Sequence, residues 1–255
     1  MDDFLLFFFV GALAQLVDGA LGMAYGVISS SVLLSFGVLP AQASASVHAA
    51  ELFTTAASGG AHLLNKNIDW KLFWRLVPFG ICGGVLGTYV LTSIDGSTIR
   101  PWVAAYLAAI GAYLLLRSFR PVPRQPVPAR IVPPLALTGG LLDAIGGGGW
   151  GPIVTSGLLG AGGQPRYVIG SVNAAEFLVT LSVSLTFVIA LVTGHWEEAP
   201  DLAANAVAVG GLIAGGVVIA PFAGYAVRII PATWLLRAVG LLICGLAINQ
   251  IVGLL

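Results

Sequence analysis

The chain has 255 residues, of which 58% are hydrophobic and only 9% charged, and its formal net charge is zero. Soluble domains carry about 25% charged residues, so this composition excludes an ordinary soluble protein and predicts an integral membrane protein. The neutral balance, without a long basic run, argues against a nucleic-acid partner. We predict no cofactor and no metal site, and expect the lipid bilayer and a small ligand as partners.

The first half of the chain predicts one broken hydrophobic segment followed by three membrane spans. Residues 4–17 and 27–36 are apolar arms, and each is shorter than the about 20 residues that cross a bilayer. Between them, residues 18–26 are rich in glycine, which weakens a helix. The three spans are predicted at residues 41–64, 72–91 and 101–116.

A segment rich in proline and arginine separates the two halves. Residues 119–130 contain four prolines and three arginines, a composition typical of an extended, solvent-exposed linker. We therefore predict a first transmembrane repeat at residues 1–118 and a second at residues 131–255. The elements of the second repeat are a broken segment at 131–159 and spans at 168–192, 202–227 and 232–254.

The two halves are copies of each other. Residues 18–51 match residues 143–176 without a gap, at a constant offset of 125 positions. A duplicated chain with one broken segment in each half is the plan of many secondary transporters. The matched pairs include Asp18 with Asp143, Gly22 with Gly147, Gly26 with Gly151, Ser31 with Ser156 and Glu51 with Glu176.

The positions of the basic residues predict opposite orientations for the two repeats. Lysine and arginine concentrate on the cytoplasmic side of a membrane protein, so the linker and the loop at 66–75 are expected there. The equivalent loop at 194–201 contains no lysine or arginine and is expected outside. This arrangement requires each broken segment to enter and leave the membrane on one side.

The predicted fold is therefore an all-α polytopic membrane protein with two inverted repeats. Each repeat consists of a broken, re-entrant helical hairpin plus three transmembrane helices. The alternative of eight full spans in parallel repeats stays open, because acidic residues contribute little to the orientation rule.

A stripe of polar residues at helical spacing follows each broken segment. Such a stripe on a membrane helix must face protein or water. Glu51 and Glu176 lie about ten residues into their helices, near the middle of the bilayer. They are candidates for proton coupling, and the alternative is that each carboxyl only ties its hairpin to the bundle. The stripes are Ser44, His48, Glu51, Thr55, Ser58 and His62, and then Asn173, Glu176, Thr180 and Ser184.

The residues around the two breaks form the candidate anion site. A helix N-terminus offers free backbone N–H groups, and nearby hydroxyls add donors, so an anion can bind without a basic side chain. Asp18 and Asp143 are candidate helix caps or ligand-facing groups. Tyr25 and Trp150 either line the pocket or pack against glycine. The candidate substrate-binding residues are Gly22, Tyr25, Ser30, Ser31, His48, Gly147, Gly148, Gly149, Trp150, Thr155, Ser156 and Asn173.

The second break carries a specific resemblance. The segment 143–159, DAIGGGGWGPIVTSGLL, its counterpart at 18–34 and the duplicated layout resemble the TauE/SafE family of sulfite exporters. The first copy departs from the second, because Met23 and Ala24 replace glycines. The resemblance covers essentially the whole chain and implies transport of sulfite, a sulfonate or a related sulfur anion across the bacterial cytoplasmic membrane.

These observations predict a secondary transporter rather than an enzyme, with the anion held between the hairpins and exposed alternately on each side. No Walker-type phosphate loop is present, so the energy must come from a gradient, with proton coupling as one option. Two alternatives stay open. One is an anion channel, and the other is an intramembrane aspartyl protease that uses Asp18 and Asp143 as paired acids.

Overall fold

The computed structural model describes residues 2–120, 127–196, 202–229 and 232–252. Within these ranges the chain forms ten α-helices, two short 3-10 or π turns and no strand, which confirms the predicted all-α fold. Residues 121–126 of the linker and 197–201 of the acidic loop lie outside the described residues. The helices are α1 (Asp2–Leu21), α2 (Tyr25–Ser35), α3 (Pro40–Leu64), α4 (Trp70–Thr92), α5 (Gly96–Arg117), α6 (Val132–Gly146), α7 (Ser156–Gly160), α8 (Pro165–Val192), α9 (Leu202–Ile229) and α10 (Ala232–Val252).

Four helices of the described part are long and apolar enough to cross a membrane. They are α1, within Phe4–Leu21, and α4, α5 and α8. Large apolar side chains lie on the outside of the bundle, among them Phe9, Trp74 and Val192. An apolar outer surface of this kind is typical of a protein that faces lipid.

The polar stripe of α3 faces the inside of the protein. The helix has 25 residues, which is long enough to cross a bilayer. Five of its six stripe residues are buried, namely Ser44, His48, Glu51, Thr55 and Ser58. The stripe lowers the hydropathy of α3, and its burial meets the requirement that polar groups at membrane depth contact protein.

The first break is shorter than predicted. α1 continues through Asp18 to Leu21 as a helix of 20 residues, so the arm predicted as too short to span a bilayer is long enough. The single glycine in this stretch weakens the helix, but the packing of α1 against α9 stabilises it enough to keep the stretch helical. The backbone leaves the helix at Gly22, with φ of 66°, and at Ala24, with φ of 100°. The predicted break at 18–26 is thus confined to residues 22–24.

The second break follows the glycine run more closely. α6 ends at Gly146, and Gly147 adopts the left-handed conformation, with φ of 66°. The helix resumes at Trp150 and passes through a π turn at Gly151–Thr155 into α7. Pro152 lies in the first turn of this helix, where its missing N–H costs little.

Equivalent helices of the two repeats have equivalent packing partners. α1 packs against α9, and its counterpart α6 packs against α4. Gly215 contacts the backbone of Phe8 in the first pair, and Gly140 contacts the backbone of Gly80 in the second. Small residues let membrane helices approach closely. The equivalent helices also pack on each other, α3 on α8 and α5 on α10.

Each broken segment folds back on itself as a hairpin. The ring of Phe7, near the start of α1, lies 6.0 Å from the ring of Phe36, just after α2. In the second repeat, Gly163 after α7 packs against Val127 before α6. Because the two ends of each segment lie side by side, each glycine break is the tip of a hairpin.

Candidate functional site

The tips of the two hairpins contact each other in the protein interior. The Thr155 hydroxyl donates a hydrogen bond to the Gly22 carbonyl at 2.7 Å. Gly26 packs against Gly147 and Gly148 so closely that a Cβ on Gly26 would lie 2.6 Å from the Gly147 carbonyl oxygen. Glycine is required here because any side chain would separate the two backbones.

Asp143 holds the backbone of the second break. Its Oδ1 accepts hydrogen bonds from the N–H of Gly149 at 2.7 Å and of Trp150 at 2.9 Å. Asp143 lies in the last turn of α6, so it caps the helix that follows the break rather than its own helix. Asp18 occupies the equivalent place in α1, and the backbone N–H of Tyr25 hydrogen-bonds to it.

His48 connects α3 to the second hairpin. Its Nε2 lies 3.1 Å from Oδ2 of Asp143, and its Nδ1 lies 2.8 Å from the carbonyl oxygen of Ser44. A carbonyl oxygen only accepts hydrogen bonds, so Nδ1 carries a proton and donates it. The Ser44 hydroxyl in turn donates to the Ala144 carbonyl at 2.6 Å. α3 is thus joined at two points to the end of α6.

Glu51 completes a cluster with His48 and Asp143, which we call the central cluster. One nitrogen or oxygen atom from each of the three side chains lies within 4.8 Å of the others, and all three residues are buried. A Cβ on Gly26 would come within 2.8 Å of Oε1 of Glu51. The other oxygen, Oε2, has no hydrogen-bond partner.

The interior contains acidic groups without matching basic ones. Among the side chains that the structure describes, the buried carboxyl groups are Asp18, Glu51, Asp143 and Glu176, and no lysine or arginine is buried. Glu176 interacts electrostatically with the other three carboxyls. Unbalanced charge is costly in a low-dielectric interior. The region therefore needs protons or a bound cation for neutrality.

Asn173 takes the place of His48 in the second repeat. Both of its amide atoms are buried without a hydrogen-bond partner. The hydroxyls of Ser31, Thr180 and Ser184 also lack a partner. A buried polar atom without a partner costs about 1–3 kcal/mol, so these atoms are candidates for binding a ligand.

The two candidate aromatic residues hold the hairpins against neighbouring helices. The Tyr25 hydroxyl donates to the Leu212 carbonyl of α9 at 3.0 Å. The indole N–H of Trp150 donates to the Val172 carbonyl of α8 at 3.2 Å, and its ring packs against Gly80 of α4. Both side chains are buried and make equivalent kinds of contact in the two repeats.

Two of the candidate hydroxyls have partners within the hairpins. Ser30 donates to the Val27 carbonyl at 3.4 Å, and Ser156 contacts the sulfur of Met23 at 3.4 Å. Ser30 and Ser31 lie in the second turn of α2, further from its start than the sequence suggested. Ser31 is therefore the hydroxyl of this group that stays available for a ligand.

A cavity of about 350 Å³ lies between α3, α8 and α9. Its walls are mostly apolar and include Ser46, Ser184, Phe187 and Trp196. The Phe187 ring lines the cavity and lies 6.4 Å from the His48 imidazole of the central cluster. Phe187 is not predicted from the sequence, because an apolar residue in a membrane helix has no distinguishing signal.

At the opposite end of α3 and α8, residues equivalent to two that line the cavity are packed against other residues. Ser46 of the cavity corresponds to Ser171, whose hydroxyl accepts a hydrogen bond from the Asp69 N–H at 2.8 Å. The neighbouring Gly170 packs directly against the backbone of Asn67. The same positions of the two repeats thus form a cavity at one end and a tight contact at the other.

Most of the chain matches a known family. The family model described as sulfite exporter TauE/SafE matches residues 7–250 of the chain. The chain belongs to the TauE/SafE family. A relative, the "probable membrane transporter protein YtnM" of Bacillus subtilis (strain 168), is 41% identical over 235 residues, which cover 89% of this chain and 76% of the relative. No solved structure matches the chain. Family and relative together support a membrane transporter.

Proposed function

We propose that this TauE/SafE protein is a secondary transporter that exports a small sulfur-containing anion, sulfite or an organosulfonate, by alternating access. The membrane is the bacterial cytoplasmic membrane, and the linker at 119–130 faces the cytoplasm. The family description supports the sulfur anion. The duplicated helical fold with hairpins that meet in the interior supports a carrier.

The two repeats have opposite orientations in this proposal. The equivalent helices α3 and α8 run antiparallel, since Gly59 packs on Ala174 near one end and the His48 ring on Phe187 near the other. α5 and α10 also pack in the antiparallel sense. Equivalent helices run in opposite directions when two repeats are inverted in a membrane, so this packing supports inversion.

The proposal of alternating access rests on a difference between the two ends of α3 and α8: one end has a cavity and the other is tightly packed. At one end Ser46 lines the cavity, and at the other its counterpart Ser171 is hydrogen-bonded to Asp69. If the repeats exchanged these arrangements, the cavity would close and the other end would open. The substrate would then have access to the hairpin tips from each side in turn.

The proposed anion site lies between the hairpin tips. The side chains that favour it are the buried Ser31 and Asn173, whose polar side-chain atoms have no partner among the residues that the structure describes. Hydrogen bonds to a charged ligand are worth about 1.5–3 kcal/mol each. The other members of the site, which position the tips, are the glycines at 22 and 147–149, Tyr25, Ser30, Trp150, Thr155 and Ser156.

Glu176 is the proposed proton-coupling group. It lies at the middle of α8 and is buried. The titratable groups that interact with it electrostatically are Asp18 of α1, Glu51 of α3 and Asp143 of α6. A carboxyl that gains or loses a proton in this group changes the net charge of the anion site, which links proton and anion movement. Glu51, the equivalent residue, belongs to the central cluster.

Anion flux into proteoliposomes tests the proposal. We expect saturable flux of sulfite or a short organosulfonate, absent from liposomes without protein. Asn173→Ala should raise the half-saturation concentration about tenfold or more through the lost hydrogen bonds. Thr193→Ala is the control, since Thr193 is exposed and bonds only its own helix. Lack of any sulfur-anion flux by the folded protein would overturn the proposal.

A further inference from the structure

The central cluster contains the types of side chain that hold a divalent metal ion. One imidazole nitrogen and two carboxylate groups form a ligand set for first-row ions such as zinc, manganese, iron and cobalt. Nε2 of His48 and Oδ2 of Asp143 are 3.1 Å apart, which suits neighbouring ligands that each lie about 2.0–2.2 Å from one ion. Glu51 brings a third donor within 4.8 Å of both.

The ligands are oriented by contacts outside the cluster. A metal-bound histidine usually donates its other ring N–H to a carbonyl or carboxylate, and Nδ1 of His48 donates to the Ser44 carbonyl at 2.8 Å. Oδ1 of Asp143 accepts two backbone N–H groups, from Gly149 and Trp150. These bonds leave Nε2 of His48 and Oδ2 of Asp143, which lie 3.1 Å apart, as the atoms that can bind an ion.

The Glu51 carboxyl favours a metal ion over a shared proton. A proton between Nε2 and Oδ2 would account for the contact of His48 with Asp143. It would leave Oε2 of Glu51 buried without a partner. A divalent ion bound to two carboxylates and a neutral imidazole satisfies all three groups and balances two negative charges, where no buried lysine or arginine is described to do so.

We propose that His48, Glu51 and Asp143 bind one divalent first-row metal ion. Three protein ligands would leave a coordination position open for an anion, as in catalytic zinc sites. The ion thereby supplies the positive charge that the anion site otherwise lacks. This last step rests on the proposed transport function, whereas the binding of the ion does not. The second repeat carries Asn173 instead of His48, so we expect one ion per chain.

Metal analysis of the purified protein tests the inference. The full chain, purified in detergent with a tag free of histidine and without chelator, should contain about one equivalent of a divalent first-row metal by mass spectrometry. After chelator treatment it should bind one Co²⁺, followed by visible absorption. Glu51→Gln and His48→Asn should weaken Co²⁺ binding by about 100-fold or more, since even outer ligands contribute 10–100-fold. Glu176→Gln, the equivalent change outside the cluster, should keep one Co²⁺.

The outcomes separate the metal site from the transport proposal. A wild-type protein that neither retains metal nor binds Co²⁺ saturably overturns the inference, whatever the variants do. Cobalt binding that persists in folded Glu51→Gln and His48→Asn, checked by size-exclusion chromatography, also overturns it. Sulfite should change the absorption of the Co²⁺-loaded protein. An unchanged spectrum would contradict the role of the ion in anion binding while the metal site itself stands.

Discussion

The imidazole of His48 and the carboxylate of Asp143 are 95 positions apart in the chain and meet at 3.1 Å in the buried centre of the protein. His48 belongs to the first repeat and Asp143 to the tip of the second hairpin. The contact therefore crosses between the repeats. Its counterpart would join Asn173 to Asp18, but the Asn173 amide has no partner. The duplicated scaffold thus carries two chemically different halves of one site.

Opposite orientations of the repeats predict opposite exposure of two equivalent loops. In a background with Cys82 and Cys244 replaced, cysteines at Lys71 and Glu197 should react with an impermeant thiol reagent from opposite sides of the membrane. Reaction of the Lys71 position is expected from the cytoplasmic side, because basic loops stay there. Labelling of both positions from one side would eliminate the inverted arrangement.

Ser31→Ala and Thr155→Val should have different effects. The Ser31 hydroxyl has no partner in the described part of the chain, so its loss should weaken sulfite binding about ten- to hundredfold and leave the thermal unfolding temperature unchanged. The Thr155 hydroxyl bonds the Gly22 carbonyl, so its loss should reduce the free energy of unfolding by about 1–3 kcal/mol as well. Calorimetry and sulfite titration of both variants measure the two effects. Unchanged sulfite affinity in Ser31→Ala would remove this hydroxyl from the site.

Glu176→Gln should uncouple anion flux from protons. The amide keeps the shape and hydrogen-bonding ability of the carboxyl but cannot exchange a proton. In proteoliposomes the wild-type flux should respond to an imposed pH gradient, whereas the variant should lose most of this response and a smaller part of its sulfite affinity. The ratio of flux with and without the gradient is the measured quantity. A variant with the full wild-type response would leave Glu176 with a structural role only.

The two ends of α3 and α8 should differ in accessibility. A cysteine at Ser46, which lines the cavity, should react with a small thiol reagent much faster than one at the equivalent Ser171, which is fully buried and hydrogen-bonded to Asp69. Substrate that drives the carrier through its cycle should reduce this difference. Equal reaction rates of the two cysteines without substrate would contradict the tight packing around Ser171.

Close glycine contacts between helices should be sensitive to added volume. A Cβ at Gly140 would overlap the Gly80 carbonyl oxygen of α4, so Gly140→Ala should destabilise the protein by about 1–3 kcal/mol. Gly60→Ala is the matched control, because no atom lies within 4 Å of a Cβ placed there. Thermal unfolding in detergent compares the two. Equal stability of the variants would refute the tight α4–α6 packing.

Much of the architecture can be predicted from the sequence because the two halves of the chain are copies of each other. The gap-free match of residues 18–51 with 143–176 places the two breaks and Glu51 and Glu176 at equivalent positions. The structure has helices at the six stretches predicted as spans, with bounds that agree to within about five residues, and α4, α5 and α8 are among its candidate membrane spans. Periodicity and composition carry this information because the bilayer constrains the length and the polar face of each helix.

Contacts between the two repeats could not be predicted from the sequence. The bond between His48 and Asp143 joins elements 95 positions apart, and no local pattern specifies which helices meet. The end of α1 was also misplaced, because Asp18 and Gly19 stay helical where they pack inside the bundle. Phe187 is the third case, since its role depends on the cavity that it lines rather than on its residue type.

Counterflow of sulfite is the most direct test of a carrier that works by alternating access. Proteoliposomes preloaded with unlabelled sulfite should take up labelled sulfite faster than empty ones and accumulate it transiently, because a site exposed alternately on each side exchanges its ligand. Loading with chloride should give no such stimulation. Uptake that rises linearly with concentration, with no effect of preloaded sulfite, would show a channel and contradict the account.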